Sequence, residues 1–251
     1  MSATHNLPAL DCHAHIAPDV TARQLAALGE VIVFAVTRDL DEAHSVVKRS
    51  DLQLVWGLGA HPAVATARAT YDPDRFRALL PHFAYVGEVG LDRRAPLGDG
   101  RRVFTDVLNA CRDQPVLVSI HSAGRTSDVI GELERHGHPG AILHWFLGDS
   151  TQLSRAIKLG AYFSVNNAMD DDTIRAIPPD RLLPETDFPA RKVRARRPGD
   201  VIALEGRLAE IWGVTIQAVR QRLWLSLKKI AIDSGAIESL PDHIADTLIA
   251  T

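Results

Sequence analysis

The sequence has little cysteine and no long apolar run. Its 251 residues contain two cysteines, Cys12 and Cys111, which are too few for a disulfide framework and favour a reducing compartment. No apolar run approaches the roughly 18 residues that cross a bilayer, and the polar start MSATHN lacks the apolar core of a signal peptide. We therefore expect a cytoplasmic protein that does not engage a membrane.

An excess of charge of one sign is also missing. The chain carries 28 basic and 31 acidic residues, a formal net charge of -3. This balance argues against a protein that coats nucleic acid non-specifically, but it is compatible with an enzyme that takes one nucleic-acid end into a local pocket. With 46% hydrophobic and 24% charged residues, the composition is that of an ordinary globular protein and argues against disorder.

Short apolar runs alternate with amphipathic stretches along the chain, a pattern typical of parallel α/β proteins. Strands are predicted over Ala9–Ile16, Val31–Val36, Leu54–His61, Phe83–Leu91, Val116–His121, Ala141–Phe146, Tyr162–Val165 and Arg181–Asp187. Helices are predicted near Thr21–Leu28, Leu40–Lys48, Arg75–Leu80, Val103–Arg112, Ser127–Arg135, Gln152–Leu159, Asp171–Ala176, Val201–Trp212 and Ile216–Ile232.

Eight such repeats in about 190 residues predict a (β/α)8 TIM barrel with C-terminal helices packed on the barrel. A doubly wound open sheet is the competing topology, but it usually carries a Gly-rich first turn, whereas the first strand here ends in DCHAH. No linker is evident. We predict one domain over residues 1–251, with a core of about 9–232 and an extension over 233–251 that contains an amphipathic stretch, His243–Ile249.

Six polar side chains stand at the ends of five predicted strands, where barrel enzymes carry their catalytic residues. They are His13, His15, Glu88, His121, His144 and Asp187. A carboxylate or imidazole inside an apolar run is costly to bury without a partner. Because the two histidines of the first strand are two residues apart, their side chains are expected to leave the same face. The set predicts a ligand site at the mouth of the barrel.

Imidazole nitrogens and carboxylate oxygens without a thiolate are typical of a divalent-metal site for Zn, Mg or Mn. Four imidazoles and two carboxylates exceed the needs of one tetrahedral ion, so we predict two ions, with Glu88 as the candidate bridge. Such ions acidify a bound water and neutralise charge on the attacked group. Asp187 can bind one ion and also accept the proton of that water, which makes Glu88 and Asp187 the candidate catalytic residues.

At these positions the sequence resembles the TatD family of metal-dependent hydrolases, within the amidohydrolase-like barrels. The resemblance covers roughly residues 9–230 and is carried by DCHAH (11–15), GAHP (59–62), GEVGLD (87–92), IHS (120–122), HWF (144–146) and ETDFP (185–189). It implies a deoxyribonuclease that uses divalent metal and often trims strand ends. It also implies that His13, His15, Glu88 and Asp187 hold one ion, and that Glu88, His121 and His144 hold the second.

Two stretches, HWFLGD (144–149) and FSVNNAM (163–169), most resemble the branch encoded in bacterial anti-phage Qat cassettes, which implies a defence role and protein partners. The family usually has Arg after the IHS motif, where this chain has Ala123, and Arg125 is the candidate replacement. Candidate substrate contacts are His61, Asp92, Arg125 and Asn166, and Asp92 is alternatively predicted to support the ligands. Asp11 is predicted either to orient one imidazole or to make a hydrogen bond at the start of the strand.

The leading functional prediction is a metal-dependent phosphodiester hydrolase that acts as an exonuclease on DNA ends or single strands, because a barrel mouth admits one strand more easily than a duplex. One alternative keeps the metals and hydrolyses an amide or ester, as a D-aminoacyl-tRNA deacylase does. Another is a partner-dependent subunit of a defence complex. A basic segment, residues 191–197, is interpreted either as a contact for a nucleic-acid backbone or as a solvated loop.

Overall fold

The computed structural model describes residues 7–251 and contains one eight-stranded parallel sheet in which the strands follow one another in chain order. The strands are β1 (Ala9–His15), β2 (Val31–Val36), β3 (Leu54–Leu58), β4 (Tyr85–Gly90), β5 (Leu117–His121), β6 (Ala141–Leu143), β7 (Tyr162–Val165) and β8 (Leu182–Pro184). Backbone hydrogen bonds between β1 and the residues after β8 close the ring. The amide of Asp187 donates to the carbonyl of His13 at 2.9 Å, and the amide of His15 donates to the carbonyl of Phe188 at 2.8 Å. The predicted TIM barrel is confirmed.

Helices connect the strands and cover the outside of the barrel. They are α1 (Ala22–Ala26), α2 (Leu40–Val46), α3 (Ala65–Ala69), α4 (Pro73–Leu79), α5 (Leu97–Cys111), α6 (Thr126–His136), α7 (Ser150–Lys158), α8 (Asp171–Ala176), α9 (Ile202–Trp212), α10 (Ile216–Asp233) and α11 (Asp242–Ala250). Helix α5 begins six residues before the predicted start, and α3 was not predicted. Over residues 7–251, no helix combines the length and apolarity needed to cross a membrane.

Strand boundaries place one candidate substrate contact and one candidate ligand just after strands. Strand β3 ends at Leu58, before His61, and β6 ends at Leu143, before His144. Every residue of the apolar β2 is buried, as expected for a parallel strand with both faces covered. Of the candidate ligands, four lie near the carboxyl ends of β1, β4 and β5, namely His13, His15, Glu88 and His121, and two follow β6 and β8, namely His144 and Asp187.

The C-terminal helices close the amino-terminal end of the barrel. Trp224 on α10 is fully buried, and its indole N–H donates to the carbonyl of Pro8, just before β1, at 2.9 Å. From α11, Ile244 and Leu248 join the apolar cluster that contains the barrel residue Leu10. The predicted packing of C-terminal helices on the barrel is confirmed, and the amphipathic stretch near the C-terminus docks on the chain's own barrel.

A β-bulge interrupts β1 near its carboxyl end. Asp11 pairs with Val33 and Ala14 pairs with Ala35, so two residues of β1 oppose one residue of β2. A bulge breaks the alternation of side chains and redirects one of them. His13 lies in this bulge and turns into the mouth of the barrel.

Candidate active site

The six predicted ligands converge at the carboxyl end of the barrel around one carboxylate, that of Glu88, which is 1% exposed. Its Oε2 lies 3.1 Å from Nε2 of His15, 3.2 Å from Nε2 of His61 and 3.7 Å from Nε2 of His13. Its Oε1 lies 2.5 Å from Nδ1 of His121 and 3.0 Å from Nε2 of His144. Burial raises the pKa of Glu88, but the surrounding imidazoles outweigh it and hold that pKa well below its usual range.

The sequence GEVG places this carboxylate. The pairing of β4 with β5 shifts between Val86 and Val89, so Glu88 lies in a second bulge. Gly90 has φ of +133°, and a Cβ there would lie 2.2 Å from the carbonyl oxygen of His121. Only glycine fits this close approach, so Gly90 keeps the ends of β4 and β5 together and Glu88 next to His121.

Asp187 follows β8, and its amide bonds to β1 across the closure of the ring. Its backbone is left-handed, with φ of 44°, a conformation that Asp tolerates better than most residues. Its Oδ1 lies 3.7 Å from Nε2 of both His13 and His15. Burial, reinforced by the carboxylates of Glu185 and Glu88, raises the pKa of Asp187 to about 7. An ion bound beside this carboxyl group would favour its ionised form.

The donor atoms form two groups that share Glu88. Those of His13, His15 and Glu88 lie within 4.8 Å of one another, and so do those of Glu88, His121 and His144. Nε2 of His13 and Oε2 of Glu88 are buried without a hydrogen-bond partner among the described residues. Burial, followed by the nearby His144, lowers the pKa of His13 to about 4, which keeps that imidazole neutral, as a metal ligand requires. The residues fit a divalent metal ion.

Two side chains that the sequence analysis missed support these ligands. Ser119 Oγ lies 2.7 Å from Nδ1 of His13, which leaves Nε2 to face the centre. Glu185 Oε2 lies 3.5 Å from Nδ1 of His144 and accepts the hydroxyl of Ser164 at 2.5 Å. Both supports lie two residues before a predicted ligand, Ser119 before His121 and Glu185 before Asp187, and this spacing is a usable signal.

A third donor group joins His13, His144 and Glu185, again within 4.8 Å. The other oxygen of Glu185, Oε1, accepts the amide of Asn166 at 2.8 Å, so both oxygens of this carboxylate already have donors. We therefore assign Glu185 to orienting His144 and not to binding an ion.

Two predicted substrate contacts face inward instead. Asp92 is 3% exposed; it lies 2.8 Å from Nε2 of His121 and accepts the guanidinium of Arg94 at 2.7 Å. Asn166 is fully buried and donates to Glu185. The polar atoms of both residues thus bind supporting groups of the centre, which for Asp92 is the second of its two predicted roles.

The other two predicted contacts remain accessible. His61 is buried except for 15% of its side chain, and its Nδ1 accepts the amide of Ala63 at 3.1 Å, so that Nε2 faces Glu88. Arg125 is 29% exposed, and its Nη1 lies 3.6 Å from Asp128. Its Nε is buried without a partner among the described residues. His61 therefore belongs to the centre, and Arg125 stays available at its edge.

Asp11 binds backbone and hydroxyl groups and no imidazole nitrogen in the described chain. Its carboxylate accepts the amide of Thr186 at 2.9 Å, the hydroxyl of Thr186 at 2.6 Å and the amide of Gly199 at 2.8 Å. The β1 bulge leaves Asp11 on the outer face while His13 turns inward. Of the two predicted roles, orientation of an imidazole does not fit this geometry, and Asp11 instead joins β1 to the segment after β8.

The basic segment 191–197 follows β8. Arg196 pairs with Asp200 at 3.0 Å, and Arg197 donates to the carbonyl of Ala27. The three other cations of the segment are exposed. Two of the five basic side chains therefore bond to other residues of the chain, and the other three face solvent beside the Asp187 end of the barrel.

Comparisons with known proteins complete the description. A family model for TatD related DNase matches residues 10–231. The chain is 26% identical over 181 residues to the uncharacterized metal-dependent hydrolase YabD of Bacillus subtilis, across 64% of this chain and 71% of that protein. It is 29% identical over 146 residues to the 3'-5' ssDNA/RNA exonuclease TatD of Cronobacter turicensis, across 52% of this chain and 56% of that protein. The crystal structure of the TatD homologue YjjV from Escherichia coli superposes with a TM-score of 0.72 at 18% identity, covering 88% of this chain and 96% of that one.

Proposed function

The chain belongs to the TatD-related DNase family of metal-dependent hydrolases, and we propose that it is a nuclease that hydrolyses phosphodiester bonds at DNA ends or in single strands with two divalent ions. The observation that carries the proposal is the single buried carboxylate of Glu88, shared by two groups of imidazole donors. A bridging carboxylate of this kind is typical of two-metal hydrolases.

In the proposed site, one ion is held by His13, His15, Glu88 and Asp187, and the other by Glu88, His121 and His144. When bound, the ions supply an acidified water and counter-charge for the phosphate under attack. Zn, Mg and Mn all suit this mixture of nitrogen and oxygen donors.

Asp187 performs the proton transfer in this proposal. Its carboxylate lies at the edge of the centre, with 14% of the side chain exposed, so that one oxygen can face an ion while the other faces a water at the mouth. A bound ion would hold this carboxylate in its ionised form. In this proposal Asp187 accepts the proton of the attacking water because of its position, while the imidazoles beside it are held in place by Ser119 and by the β1 bulge.

Two features support a nucleic-acid strand as substrate. Arg125 and the exposed cations of segment 191–197 flank the mouth, and guanidinium groups suit phosphate recognition. The relative from Cronobacter turicensis is named as a 3'-5' exonuclease of single-stranded DNA and RNA. The stretches HWFLGD and FSVNNAM extend the proposal to an anti-phage defence cassette, whose protein partners would alter the rate of hydrolysis.

The test compares wild type with Asp187→Asn on single-stranded and duplex DNA labelled at the 3' or the 5' end, after chelation and reloading with Mg, Mn or Zn. Metal-dependent shortening from one end is expected for wild type, with a loss of at least about 100-fold in the variant because it lacks the base. Asp113→Asn, at an exposed position, is the matched control and keeps full activity.

The metal content of all three proteins shows whether a loss of activity comes from removal of the proton acceptor or from loss of the bound ions. Thermal melting shows whether each protein is folded. A metal-loaded wild type that leaves all DNA intact contradicts the proposal. Turnover of an aminoacyl ester by that same protein would instead favour ester hydrolysis.

A further inference from the structure

A cavity of about 420 Å³ lies beside the metal centre and takes no part in the proposed chemistry. It opens between the loop that follows β1 and the segment that follows β8. Its walls are largely apolar and include Val20 and Leu28 on one side and Phe188 and Pro198 on the other. Its volume is in the range of small-molecule sites and is sufficient for one nucleoside.

The cavity and the centre share a wall. His15, a predicted ligand, also lines the cavity, and its amide donates to the carbonyl of Phe188 at 2.8 Å. Phe188 directly follows Asp187 in the chain. A group bound in the cavity therefore lies directly beside the side chains that are proposed to hold the ions.

The lining offers one aromatic ring and a polar rim. Phe188 is only partly buried, so its ring has a surface to give to a ligand. Thr21 and Gln24 lie at the rim, where the carbonyl oxygen of Gln24 accepts both the amide and the hydroxyl of Thr21. The amide NH2 of Gln24 remains as a donor, and the exposed Asp19 supplies an acceptor. An apolar slot with one aromatic face and both kinds of polar group at its edge suits a heterocyclic base.

We propose that this cavity binds one unstacked nucleobase of the substrate, with Phe188 as the stacking surface. The inference rests on the proposed function, since it assumes a nucleic-acid strand at the centre. A base can enter the slot only when its pairing edge is free, because unpairing and unstacking precede binding in such a pocket. The cavity thus gives a physical reason why single-stranded or frayed ends are preferred over duplex.

The test measures binding without hydrolysis. Short phosphorothioate oligonucleotides with a fluorescent label are titrated with metal-loaded, full-length protein, and fluorescence anisotropy gives the affinity. Each oligonucleotide carries either an ordinary or an abasic nucleotide at its 3' or its 5' terminus. At one of the two termini, wild type is expected to bind the ordinary form about tenfold more tightly than the abasic form, as expected for base–aromatic stacking.

Three variants locate that preference. Phe188→Ala is expected to lose about tenfold in affinity for the oligonucleotide with the base and nothing for the abasic one. Val20→Phe fills the cavity, keeps Phe188 and is expected to abolish the same preference. Leu147→Ala removes a 63% exposed apolar side chain from the loop after β6, outside the cavity, and is expected to leave the preference intact. Thermal melting verifies that each variant is folded.

Equal affinity for the two oligonucleotides at both termini, or no binding of either, overturns the proposal. Equal losses on both oligonucleotides in Phe188→Ala overturn it as well, because the ring would then act on the fold and not on a base. A preserved base preference in a protein that cleaves no ordinary DNA would instead refute the nuclease function while leaving the base-binding cavity in place.

Discussion

Replacement of Asp11 by Ala tests whether one buried carboxylate holds the barrel closed beside the metal centre. Asp11 is fully buried and accepts four hydrogen bonds, two from Thr186, one from Gly199 and one from the amide of His13. The substitution leaves four donors without their partner in the interior, at about 1–3 kcal/mol each when a donor stays unsatisfied. Burial raises the pKa of Asp11 to about 6, so removal of the carboxylate also relieves a desolvation cost that offsets part of this loss. With that offset and partial relaxation, we expect a loss of about 3–6 kcal/mol in the free energy of unfolding.

For a chain of this length, 1 kcal/mol corresponds to roughly 2–4 °C in Tm, so the expected decrease is roughly 6–24 °C. Differential scanning calorimetry in the presence of a chelator measures it without a contribution from bound metal. Asp113→Ala, which removes an exposed carboxylate, is the matched control and is expected to stay within about 0.5 kcal/mol of wild type. An equal Tm for the two variants would refute the argument that Asp11 joins β1 to the segment after β8.

Two further predictions concern supporting side chains. Glu185→Gln removes the charge that faces His144 and should weaken metal binding by about 10–100-fold in a competitive chelator titration, whereas Glu134→Gln on the surface should not; equal affinities would contradict this. His138 is buried and accepts the amide of Gly140 at 3.0 Å, and burial lowers its pKa. The folded state then binds fewer protons at His138 than the unfolded state does. The contribution of this residue to the free energy of unfolding is therefore fully present above about pH 6.5, and it declines by up to about 1.4 kcal/mol per pH unit as the pH falls through the lowered pKa. His138→Gln should flatten that decline in melts between about pH 5 and 7, and an unchanged slope would contradict it.

The barrel could be predicted because its signal is repeated and local. Each strand is a short run of buried apolar residues, and β2, with six buried positions, shows this most clearly. Strand ends were harder to place. His61 and His144 are predicted within strands and lie just after β3 and β6, although the amide of His144 still donates to the carbonyl of Ile120 on β5 at 3.1 Å. Hydropathy does not register such an end, because the neighbouring backbones stay hydrogen-bonded beyond it.

The convergence of the six candidate ligands could be predicted because imidazoles and carboxylates at strand ends have no apolar explanation. The polar groups around it were predicted less well. Asp92 and Asn166 were expected to meet substrate, yet both are buried against other side chains, Asp92 against His121 and Asn166 against Glu185. A sequence shows that a polar residue stands near the mouth, but whether its hydrogen bonds point outward or inward depends on partners from distant strands.

The orientation of Asp11 differs from the alternation expected along a strand because the backbone of β1 is irregular. Strict alternation along β1 puts Asp11, His13 and His15 on one face, which is the premise of the prediction that Asp11 orients an imidazole. The pairing of β1 with β2 shifts after Asp11, so the residues that follow it change face and the carboxylate remains outside, against Thr186. A second bulge at Glu88 does the same in β4. Nothing in the composition of either strand marks the shift, since a bulge is set by the register between two strands, yet both bulges carry candidate ligands. The local departure from regular sheet therefore brings a buried imidazole and a buried carboxylate together, with Nε2 of His13 3.7 Å from Oε2 of Glu88.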